Sequence, residues 1–175
     1  MTRSILLALP LAAALAGCAT VDEQPSERLG QATLRLANGL PAGTAQLLTN
    51  GAQVNIAIAL AGISEGTHGV HLHMTGACDA PEFTSAGGHL NPANHQHGSQ
   101  NPAGPHLGDL PNATIGSSGT GTVSATLAAT RDEVLARVFD GDGTAVVVHA
   151  GPDDYRTDPS GNSGARIACG VLTRT

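Results

Sequence analysis

From Gly30 onward, apolar and polar positions alternate through much of the chain. Ala32, Leu34 and Leu36 take turns with Thr33 and Arg35, the period-two pattern of a half-buried strand. Residues 44–49 and 53–60 predict two more strands, the second with Val54, Ile56, Ile58 and Leu60 on one face. Asn50-Gly51 between them is a strong hairpin signal, because both residue types tolerate positive φ. Residues 62–67 read as a loop. Residues 69–75 read as a strand whose Val70, Leu72 and Met74 point to the core. That leaves His71 and His73 side by side on its solvent face. Strands are also expected at residues 120–127, 144–149 and 166–172. Thr130 and Glu133 have capping-box spacing, and residues 131–139 stay open between a helical turn and a short strand. Asp140-Gly141-Asp142-Gly143 reads as a turn.

Residues 76–112 break the pattern: they contain almost no apolar run and are punctuated by Gly and Pro. A structureless stretch of that length inside a compact domain needs a cause. This one carries His89, His97, His106 and Asp109, with His71 and His73 before it and His149 after it. Metal bonds to these groups would replace the missing core. Four imidazole nitrogens suit Cu(II), and three histidines with a carboxylate suit tetrahedral zinc. Seven donors for eight positions require one shared ligand, and an imidazole can serve two ions through its two nitrogens. The arithmetic points to a bimetallic copper–zinc site. Residues 153–164 form a second polar loop.

The chain has 175 residues, enough for one domain with a real core. A formal charge of −6, no lysine and only three aromatic residues argue against nucleic acid as a partner. Twenty-three glycines and ten prolines without a three-residue period fit a loop-rich all-β protein. At the amino end, Arg3 precedes an apolar stretch, residues 5–15, that is too short to span a bilayer. Leu15-Ala16-Gly17-Cys18 resembles a bacterial lipobox, which implies lipidation of Cys18 after removal of residues 1–17 as a signal peptide. Residues 18–29 then read as a lipidated tether and 30–175 as the domain. With Cys18 lipidated, Cys78 and Cys169 are the two cysteines left.

Six segments together resemble the bacterial copper/zinc superoxide dismutases. They are Gly69-Val-His71-Leu-His73, Ser85-Ala-Gly-Gly-His89-Leu-Asn-Pro92, His97-Gly98, His106-Leu-Gly-Asp109-Leu110, Val148-His149 and Gly161-Asn-Ser-Gly-Ala-Arg166-Ile-Ala-Cys169-Gly-Val171. The resemblance runs from about Gly30 to Leu172 in the family's order. It implies an eight-stranded Greek-key β-barrel, an immunoglobulin-like sandwich, with two long functional loops. It implies copper on His71, His73, His89 and His149, and zinc on His89, His97, His106 and Asp109, with His89 bridging the ions and handling a proton in catalysis. It further implies a Cys78–Cys169 disulfide, Arg166 as the active-site arginine that docks the anion, and Asp153 as a carboxylate bonded to ligands of both metals.

The activity implied is dismutation of superoxide to oxygen and hydrogen peroxide at a copper redox centre beside a structural zinc. The lipobox adds a setting: a lipoprotein of the bacterial cell envelope, facing the periplasm, held to a membrane through Cys18 and protecting the envelope from oxidative damage. A non-catalytic copper/zinc-binding protein of the envelope is the competing reading, and it would need neither Arg166 nor Asp153. His68 and His95 match no ligand position, and Asp154 has no assigned role. The loop between His149 and Arg166 holds a single cation, Arg156, and Val70 stands where the family often has a larger residue. The oligomeric state, a homodimer included, stays open.

Overall fold

A computed structural model describes residues 26–175; the signal-peptide and lipobox expectations, Cys18 among them, lie outside the described residues. The elements are β1 (Glu27–Leu36), β2 (Pro41–Thr49), β3 (Val54–Ala61), β4 (Gly66–His68), β5 (Val70–His73), β6 (Ala113–Ile115), β7 (Thr120–Thr126), α1 (Arg131–Val138), β8 (Ala145–His149), β9 (Arg166–Val171) and β10 (Thr173–Arg174). Eight strands form one sheet in the order β5-β8-β9-β1-β2-β3-β7, with β10 also on β1, and β4 and β6 form a separate ribbon. All pairings are antiparallel, and the large sheet curls into a half-barrel. The all-β expectation holds.

Alternation explains the filling of the barrel. Leu34 on β1, Ala45 and Leu47 on β2, and Val54, Ile56, Ile58 and Leu60 on β3 all turn inward and are buried. Truncating one of the larger ones, such as Ile56→Ala, would cost roughly 2–5 kcal/mol. β1 starts three residues ahead of the expected domain boundary, with Glu27 opposite Thr49 and Arg28 opposite Leu48. A register shift between Arg28 and Gly30 turns Leu29 into the core out of phase, which is why simple alternation does not reveal it. The hairpin from β2 to β3 is longer than two residues. Thr49 pairs with Val54, and residues 50–53 form the connection, tied by Thr49 Oγ1 donating to the Gln53 carbonyl at 2.7 Å.

Three further expectations change. Residues 62–67 are not all loop, since Gly66–His68 pairs with Ala113–Ile115. His71 and His73 do not face solvent: they are 0% and 1% exposed. The long irregular segment folds back over their side of β5, with Leu72 N donating to Gly108 O and Leu90 N to Leu72 O, each at 2.8 Å. Met74, expected in the core, is 51% exposed, because the strand ends at His73.

α1 resolves the open choice at residues 131–139. Thr130 Oγ1 accepts from Glu133 N, and Glu133 Oε2 accepts from Thr130 N at 3.0 Å, a complete capping box. Asp140 Oδ1 accepts from Asp142 N and Gly143 N, so that segment is a turn. A disulfide joins Cys78, on the long segment, to Cys169 on β9, 91 residues apart with Cα atoms 5.7 Å from each other. Closing so long a loop contributes roughly 4–5 kcal/mol on the chain-entropy model.

Candidate metal centre

β5 and β8 are paired so that Val70 faces Val148 and His71 faces Val147, which brings His149 at the end of β8 beside the two histidines of β5. His89 arrives from the long segment through a single bridge to His73. The four rings offer donor atoms within 4.8 Å of one another. In each ring, one nitrogen is buried without a partner: His71 Nδ1, His73 Nε2, His89 Nε2 and His149 Nε2. The opposite nitrogen has an oxygen close by. His71 Nε2 lies 2.8 Å from Asp153 Oδ2, His73 Nδ1 2.9 Å from Gly87 O, and His149 Nδ1 3.1 Å from Gly164 O. Those acceptors hold the N–H, so the lone pair sits on the unpartnered nitrogen. A buried imidazole nitrogen without a partner is costly. Four that converge are satisfied together by one ion that prefers nitrogen ligands, and the set fits copper.

A second cluster is built on Asp109. Its Oδ1 lies 3.0 Å from His89 Nδ1, 3.0 Å from His97 Nδ1 and 3.2 Å from His106 Nδ1. Three nitrogens and one oxygen around one point fit tetrahedral zinc. Donor atoms of His71, His89, His97 and Asp109 also lie within 4.8 Å of one another. The contacts select His106, because His71 commits Nδ1 to the first cluster and Nε2 to Asp153. His89 belongs to both clusters, one through each nitrogen. Asp109 Oδ2 accepts from the amides of Gly98 and His106, which fixes the carboxylate.

Asp153 connects the clusters. It is 3% exposed, with Oδ2 on His71 and Oδ1 on His97 Nε2 at 2.9 Å. Asn112, which nothing in the sequence singles out, holds it: Asp153 N donates to Asn112 Oδ1, and Asn112 Nδ2 donates to Asp153 O. Arg166 donates through Nη1 to Phe83 O at 2.7 Å and through Nη2 to Gly87 O at 2.6 Å. It lines the same cavity as His73 and His149. These backbone carbonyls carry no side-chain signature, so a sequence cannot announce them.

Burial pushes His73 down to about 2, His149 to about 3 and His89 to about 4, so these rings are neutral donors. For His97, burial lowers the value, but the carboxylates of Asp109 and Asp153 outweigh it and raise the ring to about 9. Burial alone would raise Asp109 and Asp153. Hydrogen bonds from His89 and His97 outweigh it at Asp109, and those from His71 and His97 at Asp153. Both carboxyls lie well below their ordinary range.

His68 is buried, with Nδ1 2.8 Å from His149 O and Nε2 3.0 Å from Ser64 O, so it props the strand that carries His149. His95 Nδ1 lies 3.0 Å from Pro105 O, outside both clusters. Asp154 caps a turn, accepting from the side chain and amide of Thr157 and from the amide of Arg156. Arg156 donates to Gln100 Oε1 from Nε and Nη2 and does not line the cavity of Arg166.

A curled β-sheet carrying two imidazole-rich clusters that share one histidine defines the scaffold of a dinuclear metalloprotein, in which the nitrogen-only cluster could hold a redox-capable ion in the cavity that Arg166 lines. The family model for copper/zinc superoxide dismutase matches residues 41–172. The chain belongs to that family. A copper/zinc superoxide dismutase of Aquifex aeolicus is 48% identical over 107 residues, 58% of this chain and 62% of that protein, so the match spans less than two thirds of its length. One from Caulobacter vibrioides is 38% identical over 149 residues, 81% of this chain and 83% of that protein. The crystal structure of a superoxide dismutase-like protein from Bacillus subtilis superposes with a TM-score of 0.75 at 37% identity, covering 82% of this chain and 97% of that one.

Proposed function

We propose that this chain is a copper/zinc superoxide dismutase of the bacterial cell envelope, lipid-anchored through Cys18, that converts superoxide to oxygen and hydrogen peroxide. The observation that carries the catalytic reading is the convergence of four unpartnered imidazole nitrogens in the cavity that holds Arg166. Bound copper supplies one-electron redox chemistry, and zinc, without redox chemistry of its own, supplies fixed positive charge. Arg166, held on two carbonyls, binds the anion by a charge-assisted hydrogen bond. His89 Nε2 takes and returns a proton, while Nδ1 stays on the Asp109 side. The backbone acceptors on His73 and His149 keep the other rings in one tautomer throughout.

The lipobox residues Leu15 to Cys18 support the envelope setting, and so does the disulfide, since disulfides persist in oxidising compartments. Metal analysis and superoxide consumption by the purified domain test the enzyme. About one copper and one zinc per chain, with rapid consumption, is expected. Bound metals with no consumption would leave a metal-binding protein instead. Cys18→Ala should move the protein from the membrane to the soluble fraction at unchanged specific activity. Soluble wild type with an unmodified amino terminus would remove the anchor.

A further inference from the structure

The dismutase reading leaves a question of approach. The chain is acidic, and the cation of the second polar loop, Arg156, is spent on Gln100 away from the cavity. The cavity above the copper-side histidines, about 730 Å3, is lined by the buried His73 and His149 and by the half-buried Arg166. On its wall stand Arg137, from the last turn of α1, and the carboxylates of Asp140, Asp142 and Asp158. Arg137 and Arg166 are the two cations of this cavity among the described residues.

The other described arginines are mostly engaged. Arg35 donates to Gly39 O, Arg131 pairs with Glu27 and Asp132, and Arg174 lies over the Phe139 ring. Arg28, on β1, does not line the cavity. Arg137 is exposed, and among the described residues it makes no hydrogen bond or ion pair. Its position follows from the helix: Val134 and Val138 are buried against the core, and Arg137, about 100° around the axis from Val138, stands at the flank of that face where α1 borders the cavity.

We propose that Arg137 is the outer cation of the site: it draws the anionic substrate to the mouth of the cavity and hands it on to Arg166. This rests on the dismutase reading and adds a residue to it. Superoxide arriving at the rim meets three carboxylates, and Arg137 is the exposed positive charge among them. Without it the mouth would repel the substrate before Arg166 could act. A structural alternative exists. A cation in a last helical turn offsets the helix dipole, and Glu133 lies four residues earlier. Those effects change melting temperature and leave the association rate alone.

The second-order rate constant of the copper/zinc-loaded protein separates the two. It is measured from about 0.01 M to about 0.15 M ionic strength, where the screening length shortens from about 30 to about 8 Å. The wild type should show a shallow dependence, since Arg137 and the rim carboxylates oppose each other. Arg137→Gln should be slower by roughly 3- to 10-fold at the low end, rise with salt and converge on the wild type. Arg137→Lys should restore most of the rate, and Arg156→Gln should behave as wild type. Azide titrated into the copper-loaded protein by absorbance gives a readout that needs no turnover: its dissociation constant should weaken in Arg137→Gln at low salt, with metal content and melting temperature held. A uniform loss at every ionic strength, no loss at all, or no rescue by lysine would each overturn the proposal. Weaker azide binding in Arg137→Gln alongside a wild type that fails to dismutate would keep the anion site and remove the dismutase reading.

Discussion

Asp153 and His97 meet at 2.9 Å in the interior, and through that contact the zinc-side cluster is tied to the copper-side cluster, because the second oxygen of Asp153 holds His71. One carboxylate therefore orients a ligand in each set. Asp153→Ala should weaken both metals, by roughly 10- to 100-fold each, the range for losing an outer hydrogen bond to a metal ligand. Competition against a chelator for copper and for zinc measures it. Loss confined to one metal would show that the two centres are not joined here.

Gly161 packs against this same contact. Its φ is +63°, and a Cβ added there would strike Asp153 Oδ1 and stand 2.6 Å from His97 Nε2. Gly161→Ala should displace the carboxylate, lower zinc affinity and cost about 1–3 kcal/mol in stability. Thermal unfolding with and without zinc reads both effects. A variant with unchanged melting in both states would mean that the loop shifts freely to make room.

Acid and alkali should act differently on the metal-free domain. His73, His149 and His89 are held at about 2, 3 and 4, below the 6.5 of a free imidazole. Stability that depends on their neutrality is full above 6.5 and is lost as pH falls toward those values, because acid charges the unfolded chain first. His97, raised to about 9, has the opposite sign: its contribution is full below 6.5 and fades as pH rises through 9. Melting curves from pH 4 to 10 should therefore fall on both flanks. Zinc uptake at neutral pH must also displace the proton of His97, whereas copper uptake meets neutral rings. With each metal added alone to the metal-free domain, titration in weak buffer should show about one proton released for zinc and about none for copper, and the second metal should then release about one more, from the His89 ring that comes to hold both. Equal release for the two metals added alone would contradict the assignment of His97.

Arg166 and Arg156 should separate cleanly. Arg166→Ala removes the half-buried cation that lines the cavity and should lower the rate constant roughly 10- to 100-fold, the worth of a hydrogen bond to a charged group. Arg156→Ala loses only its bonds to Gln100 and should change the rate by less than about 2-fold, since exposed polar contacts contribute little. Stopped-flow decay of superoxide gives both numbers. Comparable losses would place Arg156 on the substrate's path.

The strands were readable because period-two alternation is written in side chains, as Val54, Ile56, Ile58 and Leu60 show. Leu29 escaped because a register shift takes it out of phase. His71 and His73 were readable as a pair on one face, but not as buried, since what covers them is a segment with no periodicity of its own. The donor residues stood out by type and number. Gly87 O, Gly164 O and Phe83 O did not, because a backbone carbonyl belongs to every residue. Arg137 was out of reach for another reason. With residues 131–139 undecided between helix and strand, its direction was undefined, and only the packing of α1 beside the cavity places it.

β1 sits in the middle of the large sheet, and among the described residues β5 and β8, which carry His71, His73 and His149, connect to it through β9. On the ribosome, β1 is among the first strands made and β9 among the last. The apolar half, β1 to β3, has its partners early. The half that holds the copper-side histidines has no frame to lean on until Arg166 to Val171 has emerged. Chains are delivered amino end first, so a growing chain presents donors without a site. Whatever brings the ions meets a chain in which β9 is already in place.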